Sequence, residues 1–152
     1  MPKERFKMPV AVYLIVKNGD NLLLSLREGT GYMDGYYGLV SGHVEEGEPA
    51  KYACIREAME EAGIQLKMNE IKPAHIMHRI TPQTEYMDLF FIVENYEGKV
   101  ENIEPNKCGG LEYFDIHNLP ENTIDYIKVA INNSLNGVFY SEYGFDVKEW
   151  TI

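Results

Sequence analysis

Two cysteines in 152 residues, a single tryptophan and no run of basic residues set the first limits on this chain. Cys54 and Cys108 form no CxxC pattern, so no disulfide framework is signalled, and free thiols in a reducing compartment are the expectation. No stretch approaches the roughly 18 apolar residues of a membrane-spanning helix. The opening MPKERFKMPV lacks the apolar centre of a signal peptide. A formal charge of −10 offers nothing to a nucleic acid duplex or an anionic membrane. Low-complexity tracts and internal repeats are also missing. These absences leave a soluble, cytoplasmic, acidic chain, expected to form one domain over 1–152 and to act as a monomer or a homodimer.

One stretch then organises everything else: residues 42–64, GHVEEGEPAKYACIREAMEEAGI. Pro49 suits a first helical position, Ala50 to Ala62 are mostly good helix formers, and Gly63 suits the stop, so a helix is expected over about 49–62. On that helix Glu57, Glu60 and Glu61 fall at i, i+3 and i+4 and share one face. They also crowd its negative end, and each like-charge neighbour costs roughly 0.2–0.5 kcal/mol. A chain selected for stability alone would place lysine or arginine there. A solvated acidic face leaves the conflict standing. A hard dication in front of an oxygen-only cluster removes it, because Mg²⁺ or Mn²⁺ prefers carboxylate, carbonyl and water ligands.

The spacing decides between the two. From Gly42, five residues lead to Glu48 and seven more to Arg56-Glu57, then Ala58, Met59, Glu60-Glu61, Ala62, Gly63 and Ile64. The stretch resembles the Nudix box, G-x5-E-x7-R-E-U-x-E-E-x-G-U with U apolar, at every fixed position. Ala58 is smaller than the usual aliphatic residue there. The resemblance implies an α+β chain with the Nudix fold, an α/β/α sandwich with a mixed central sheet and two main helices. It further implies hydrolysis of a nucleoside diphosphate linked to another moiety, most simply a (d)NTP cut to (d)NMP and pyrophosphate. ADP-ribose, a dinucleotide, or a nucleotide-sensing module without turnover are the alternatives. By the same resemblance Gly42, through its carbonyl, joins Glu57, Glu60 and Glu61 as metal ligands for Mg²⁺ or Mn²⁺. Glu60 or Glu61 is the expected general base. Glu48 supports the site, and Arg56 either orients a carboxylate or forms a plain helix-surface ion pair.

The rest of the chain is read in outline. Residues 8–17 are apolar at nearly every position and suit a strand buried on both faces. Asn18-Gly19-Asp20 signals a hairpin back to a strand over Asn21 to Leu26. Arg27 at its end is a phosphate clamp or an ordinary strand-end charge. Residues 29–36 read as a loop, 37–40 as a short strand, and Gly42 to Gly47 as a tight loop. His43 either touches a phosphate or faces solvent. His75 and His78, i and i+3 on a strand over 72–80, point to opposite faces and make a poor ligand pair. In the strand over 85–94, Tyr86, Asp88, Phe90 and Ile92 share one face, with Met87, Leu89, Phe91 and Val93 on the other. Asp88 there meets a base or ribose, or marks an exposed edge.

A further short strand is expected over Val100 to Ile103. The segment EPNKCGGLEYFDIHNLP resembles the corresponding Nudix stretch, with Tyr113 where tryptophan is usual, and Glu104 and Glu112 are candidate extra bases or surface acids. A second, amphipathic helix is expected over 122–136, with Asn122 as its N-cap or as a reader of the base edge. The aromatic tail, 138–152, reads as extended.

Overall fold

A computed structural model describes residues 1–146; the last part of the expected tail, 147–152, lies outside the described residues. The chain runs β1 (Val10–Asn18), β2 (Asn21–Arg27), β3 (Tyr37–Gly38), β4 (Val40–His43), α1 (Ala50–Ala62), β5 (Ile71–Ile80), β6 (Glu85–Val93), β7 (Cys108–Asp115), α2 (Asp125–Leu135) and β8 (Tyr140–Tyr143). The sheet order is β3-β2-β1-β6-β5-β8, with β4 paired to β1 and β7 to β2. β1–β6 and β5–β8 are parallel and the other pairs antiparallel, so the sheet is mixed. No helix among the described residues is long and apolar enough to cross a membrane.

Strand alternation builds two cores. From β1, Val12, Leu14 and Val16 point to one side, joined by Phe91 and Val93 of β6 and by Ala53, Cys54, Ala58 and Ala62 of α1. Tyr13 and Ile15 point to the other side and meet Phe90, Ile127 and Ile131, the last two from α2. The faces expected for the 85–94 strand are those observed. The two helices therefore cover opposite faces of the sheet, as the α/β/α sandwich requires. Small residues let α1 lie close: Ala58 has no exposed surface, and the same burial pushes the Cys54 thiol up to about 12.

Four expectations are corrected. β4 continues as strand through His43, because Ala11 to Leu14 pair with His43 to Val40, so Gly42 sits in a strand and not in a loop. Residues 100–103 form no strand. Their N–H groups turn to the open end of α1, Glu101 donating to the Ala62 carbonyl at 3.0 Å and Ile103 to that of Glu61 at 3.3 Å. Helix α2 begins three residues late, at Asp125, with Ile124 at the N-cap. Asn122 and Thr123 are taken up instead by a bridge to Tyr37, whose N–H donates to the Asn122 carbonyl at 2.9 Å. Finally, Asp88 is no edge residue, since β6 lies between β1 and β5 and Asp88 is fully buried.

Candidate active site

The site grows from the way β1 changes partners. Lys17 and Asn18 lie opposite β2, while Ala11 to Leu14 lie opposite β4. The cleft lies among these strands, with Ala11 and Tyr13 of β1, Ser25 and Arg27 of β2 and Ser41, Gly42 and His43 of β4 in its walls. On one side α1 delivers its acidic face. Pro49 precedes the first turn at φ −63°, and Gly63 ends the helix in the left-handed region at φ 67°, a conformation that suits glycine. Gly42 matters for a different reason. Its Cα lies so close under the Glu57 side chain that an added Cβ would collide with the carboxylate. Glu57 thus rests directly on the Gly42 backbone.

Arg56 holds this arrangement in place. Its Nε and Nη2 donate to the two Glu48 oxygens at 2.8 and 3.0 Å, and Nη2 also donates to the His43 carbonyl at 3.1 Å. Nη1 reaches Glu57 at 2.7 Å and Glu60 at 3.4 Å. Glu48 in turn accepts the Glu45 N–H at 3.1 Å, which closes the loop before the helix. Arg56 therefore orients several carboxylates rather than forming one surface pair. Its bonds hold Glu48 down to about 2.

The acids facing the cleft behave oppositely. Glu61 accepts the Ser41 N–H at 3.0 Å, yet burial, with the charges of Glu57 and Glu104 added, pushes its carboxyl up to about 8. Glu57 is raised too, by burial first and by Glu60 and Glu104, with Arg56 opposing. Glu60 is exposed on the outer side. Among the described residues no three acidic, histidine or cysteine side chains close on one point as placed, because Arg56 draws Glu57 and Glu60 to itself. The donor chemistry nevertheless suits a hard dication: oxygen-only, mutually repelling, and set on a glycine carbonyl strand.

Two cavities flank Arg27 and Ser41. The smaller, about 320 Å³, includes Ser25, Glu61, Glu104, Lys107 and Cys108 in its wall. The larger, about 610 Å³, is lined by Gly42, His43, Tyr32, Arg79, Tyr86 and Tyr126 among others. Arg27 borders both, and its guanidinium is steadied by the Tyr32 carbonyl at 2.7 Å and the Thr30 hydroxyl at 3.2 Å.

The expected residues thus divide. Gly42, Glu48, Arg56, Glu57, Glu60 and Glu61 come together, Arg27 joins them across the cleft, and of the extra acids Glu104 lines the smaller cavity. Glu112 points away, exposed on β7. His43 is exposed at the mouth of the larger cavity. Asn122 caps nothing and lines neither cavity; its amide donates to the Gly35 carbonyl at 2.8 Å. Tyr113 also lines neither, and its hydroxyl pairs with that of Tyr96 at 2.7 Å in the α1-side core. His75 and His78 have separate partners, His75 bonding the Val138 carbonyl and the Ser141 hydroxyl, His78 bonding Glu85. Sequence reasoning missed Arg79, which stands between the larger cavity and Asp88. The available signal was a lone arginine and a lone aspartate on two neighbouring apolar strands.

The Nudix domain family model matches residues 7–131. The chain belongs to the Nudix family. It is a Nudix hydrolase, and such enzymes work on small nucleotide substrates with divalent metal ions. A relative called ADP-ribose pyrophosphatase, from Methanocaldococcus jannaschii, is 28% identical over 120 residues, spanning 79% of this chain and 69% of its own. A second, called NAD-capped RNA hydrolase NudC, from Pseudomonas putida, is 26% identical over 110 residues, and the match spans only 37% of its length. Among solved structures, a MutT Nudix hydrolase from Burkholderia pseudomallei aligns with a TM-score of 0.78 at 22% identity, covering 84% of this chain and 98% of that one. The MutT protein from Bacillus halodurans aligns at 0.73 and 21%, covering 90% of each chain. These two likenesses concern the fold.

Proposed function

We propose that this Nudix hydrolase cleaves a phosphoanhydride bond in a nucleoside diphosphate joined to a further group, and that a (d)NTP, giving (d)NMP and pyrophosphate, fits it best. The observation that carries the reading is Glu61, the one box carboxylate that lines the smaller cavity, desolvated and raised beside Glu57 and Glu104. The Gly42 carbonyl with Glu57, Glu60 and Glu61 would hold Mg²⁺, or Mn²⁺ in its place. Bound there, the dication supplies the positive charge a diphosphate needs in an acidic cleft and makes water easier to deprotonate.

The remaining roles fall to the chain itself. Glu61 accepts the proton of the attacking water, because it is the box carboxylate in the wall of the smaller cavity. Glu60, exposed and tied to Arg56, serves as ligand. Arg56 fixes the geometry of Glu48, Glu57 and Glu60. Arg27, bordering both cavities, meets the phosphates, and Asp88 acts on the substrate only through Arg79. A second reading, ADP-ribose or a dinucleotide as substrate, is favoured by the likeness to the Methanocaldococcus protein.

Purified protein with Mg²⁺ and a panel of nucleoside triphosphates, ADP-ribose and dinucleotides, with products resolved by chromatography, tests this. Monophosphate and pyrophosphate from a triphosphate, lost in Glu61→Gln, is the expected result. Turnover confined to ADP-ribose would install the second reading. Tight nucleotide binding without turnover would overturn both.

A further inference from the structure

The larger cavity has at its floor a charged group that the hydrolytic reading leaves idle. Arg79 is only 4% exposed, and its guanidinium carbon lies 4.2 Å from the Tyr86 ring centre and 4.0 Å from that of Tyr126. Nε donates to Asp88 at 2.6 Å, and Nη2 donates to Asp88 and to the Tyr13 hydroxyl, each at 3.3 Å. Nη1 has no hydrogen bond to any described residue, and the side chain lines the cavity. With Nε and Nη2 spent on Asp88 and Tyr13 and the guanidinium carbon over two tyrosine rings, one function is left: the Nη1 donors at a fixed place. Packing and pairing have already removed the rotamer freedom that an arginine ordinarily loses on binding.

The position matters as much as the chemistry. Arg27, Ser41 and Gly42 border this same cavity, so it opens onto the acidic cluster. Its volume of about 610 Å³ suits a nucleoside. Tyr32, with the Arg27 guanidinium carbon 5.5 Å from its ring centre, and His43, whose ring lies 6.1 Å from that of Tyr86, add aromatic surface to its wall.

Resting on the phosphoanhydride reading for where the phosphates lie, we infer that Arg79 reads the base through Nη1, and that the cavity takes a ring whose facing edge offers acceptors rather than an amino donor. Guanine offers O6 and N7, and cytosine offers O2 and N3. A guanidinium only donates, so the free Nη1 matches an acceptor on that edge. Adenine sets its N6 amino donor against the same N–H groups and is disfavoured. Asp88 is the positioning residue, holding the fork in one plane from beneath.

Two measurements separate this inference from the hydrolytic reading. Calorimetric titration with GMP, CMP and AMP, without divalent metal, is expected to give GMP or CMP an advantage of about tenfold or more over AMP. In the double variant Arg79→Gln/Asp88→Asn, which removes both charges together, the ratio should fall below about threefold at an unchanged melting temperature. Should that variant fail to fold, Arg79→Lys keeps a charge beside Asp88 while removing Nη1, and the same fall is expected. AMP binding as tightly as both competitors, or a preference intact in a folded variant, overturns the inference. Steady-state kcat/KM for GTP, CTP and ATP with Mg²⁺ completes the separation. Hydrolysis of all three alike removes base reading and leaves the reaction standing. Selective monophosphate binding without any hydrolysis does the reverse.

Discussion

Arg56, a quarter exposed on α1, hydrogen-bonds three glutamates and a backbone carbonyl, whereas Arg79, buried on β5, holds one aspartate and lies over two tyrosine rings. The first sits in water's reach, where ion pairs add little net stability, so its value is geometric: it sets where the box carboxylates point. The second sits where an unpaired charge is expensive, so each partner is needed for the other to be tolerated. One arginine arranges acids for chemistry, and the other is arranged by an acid for recognition. The same side chain does both jobs because its fork is planar and permanently charged.

The sharpest way to break the comparison is to orphan Asp88. Arg79→Met should destabilise the fold by about 3–5 kcal/mol in denaturant titration, with most of the loss returned in Arg79→Met/Asp88→Leu. A loss below about 1 kcal/mol would place Arg79 with the exposed pairs. Next comes Glu61→Gln, expected to lower kcat more than about a hundredfold, about 2.7 kcal/mol in the barrier, while the melting temperature holds. Arg56→Lys should cost about tenfold in kcat with less than about 1 kcal/mol in stability, because the bidentate grip on Glu48 goes while the charge stays.

The smallest effect is confined to acid. Glu48 is held at about 2 against an ordinary 4.5, so its pairing contributes stability above about pH 4.5 that is lost as pH falls through about 2. The melting temperatures of the native chain and Glu48→Gln should differ at neutral pH and converge across that window. A constant gap down to pH 2 would show that Glu48 stays paired in some other way.

How far the sequence foretold this comparison differs between its halves. The Arg56 half was legible because its residues lie within one helix and the loop before it, where spacing translates directly into geometry. The strand faces were legible as well: Val12, Leu14 and Val16 separate from Tyr13 and Ile15 by alternation alone. The Arg79 half needed register. Met77 lies opposite Asp88 and Arg79 opposite Tyr86, so the ion pair is a diagonal neighbour across strands, and α2 must then bring Tyr126 over it. Nothing local to residues 79 or 88 encodes that meeting. Residues 100–103 and 122–124 were misread for a related reason, since their backbone groups are claimed by α1 and by Tyr37 rather than by neighbours in sequence.

The clip that ties Glu101 and Ile103 to the end of α1 has a consequence for tuning. Glu104 follows that clip at once, so its carboxylate is indexed to the same helix that carries Glu61. Lengthening or shortening the stretch between residues 101 and 104 by one residue is expected to move Glu104 relative to Glu61 without touching a single box position. Burial sets most of the rise at Glu61, and the charge of Glu104 adds a smaller share that depends on the length of a loop outside the box.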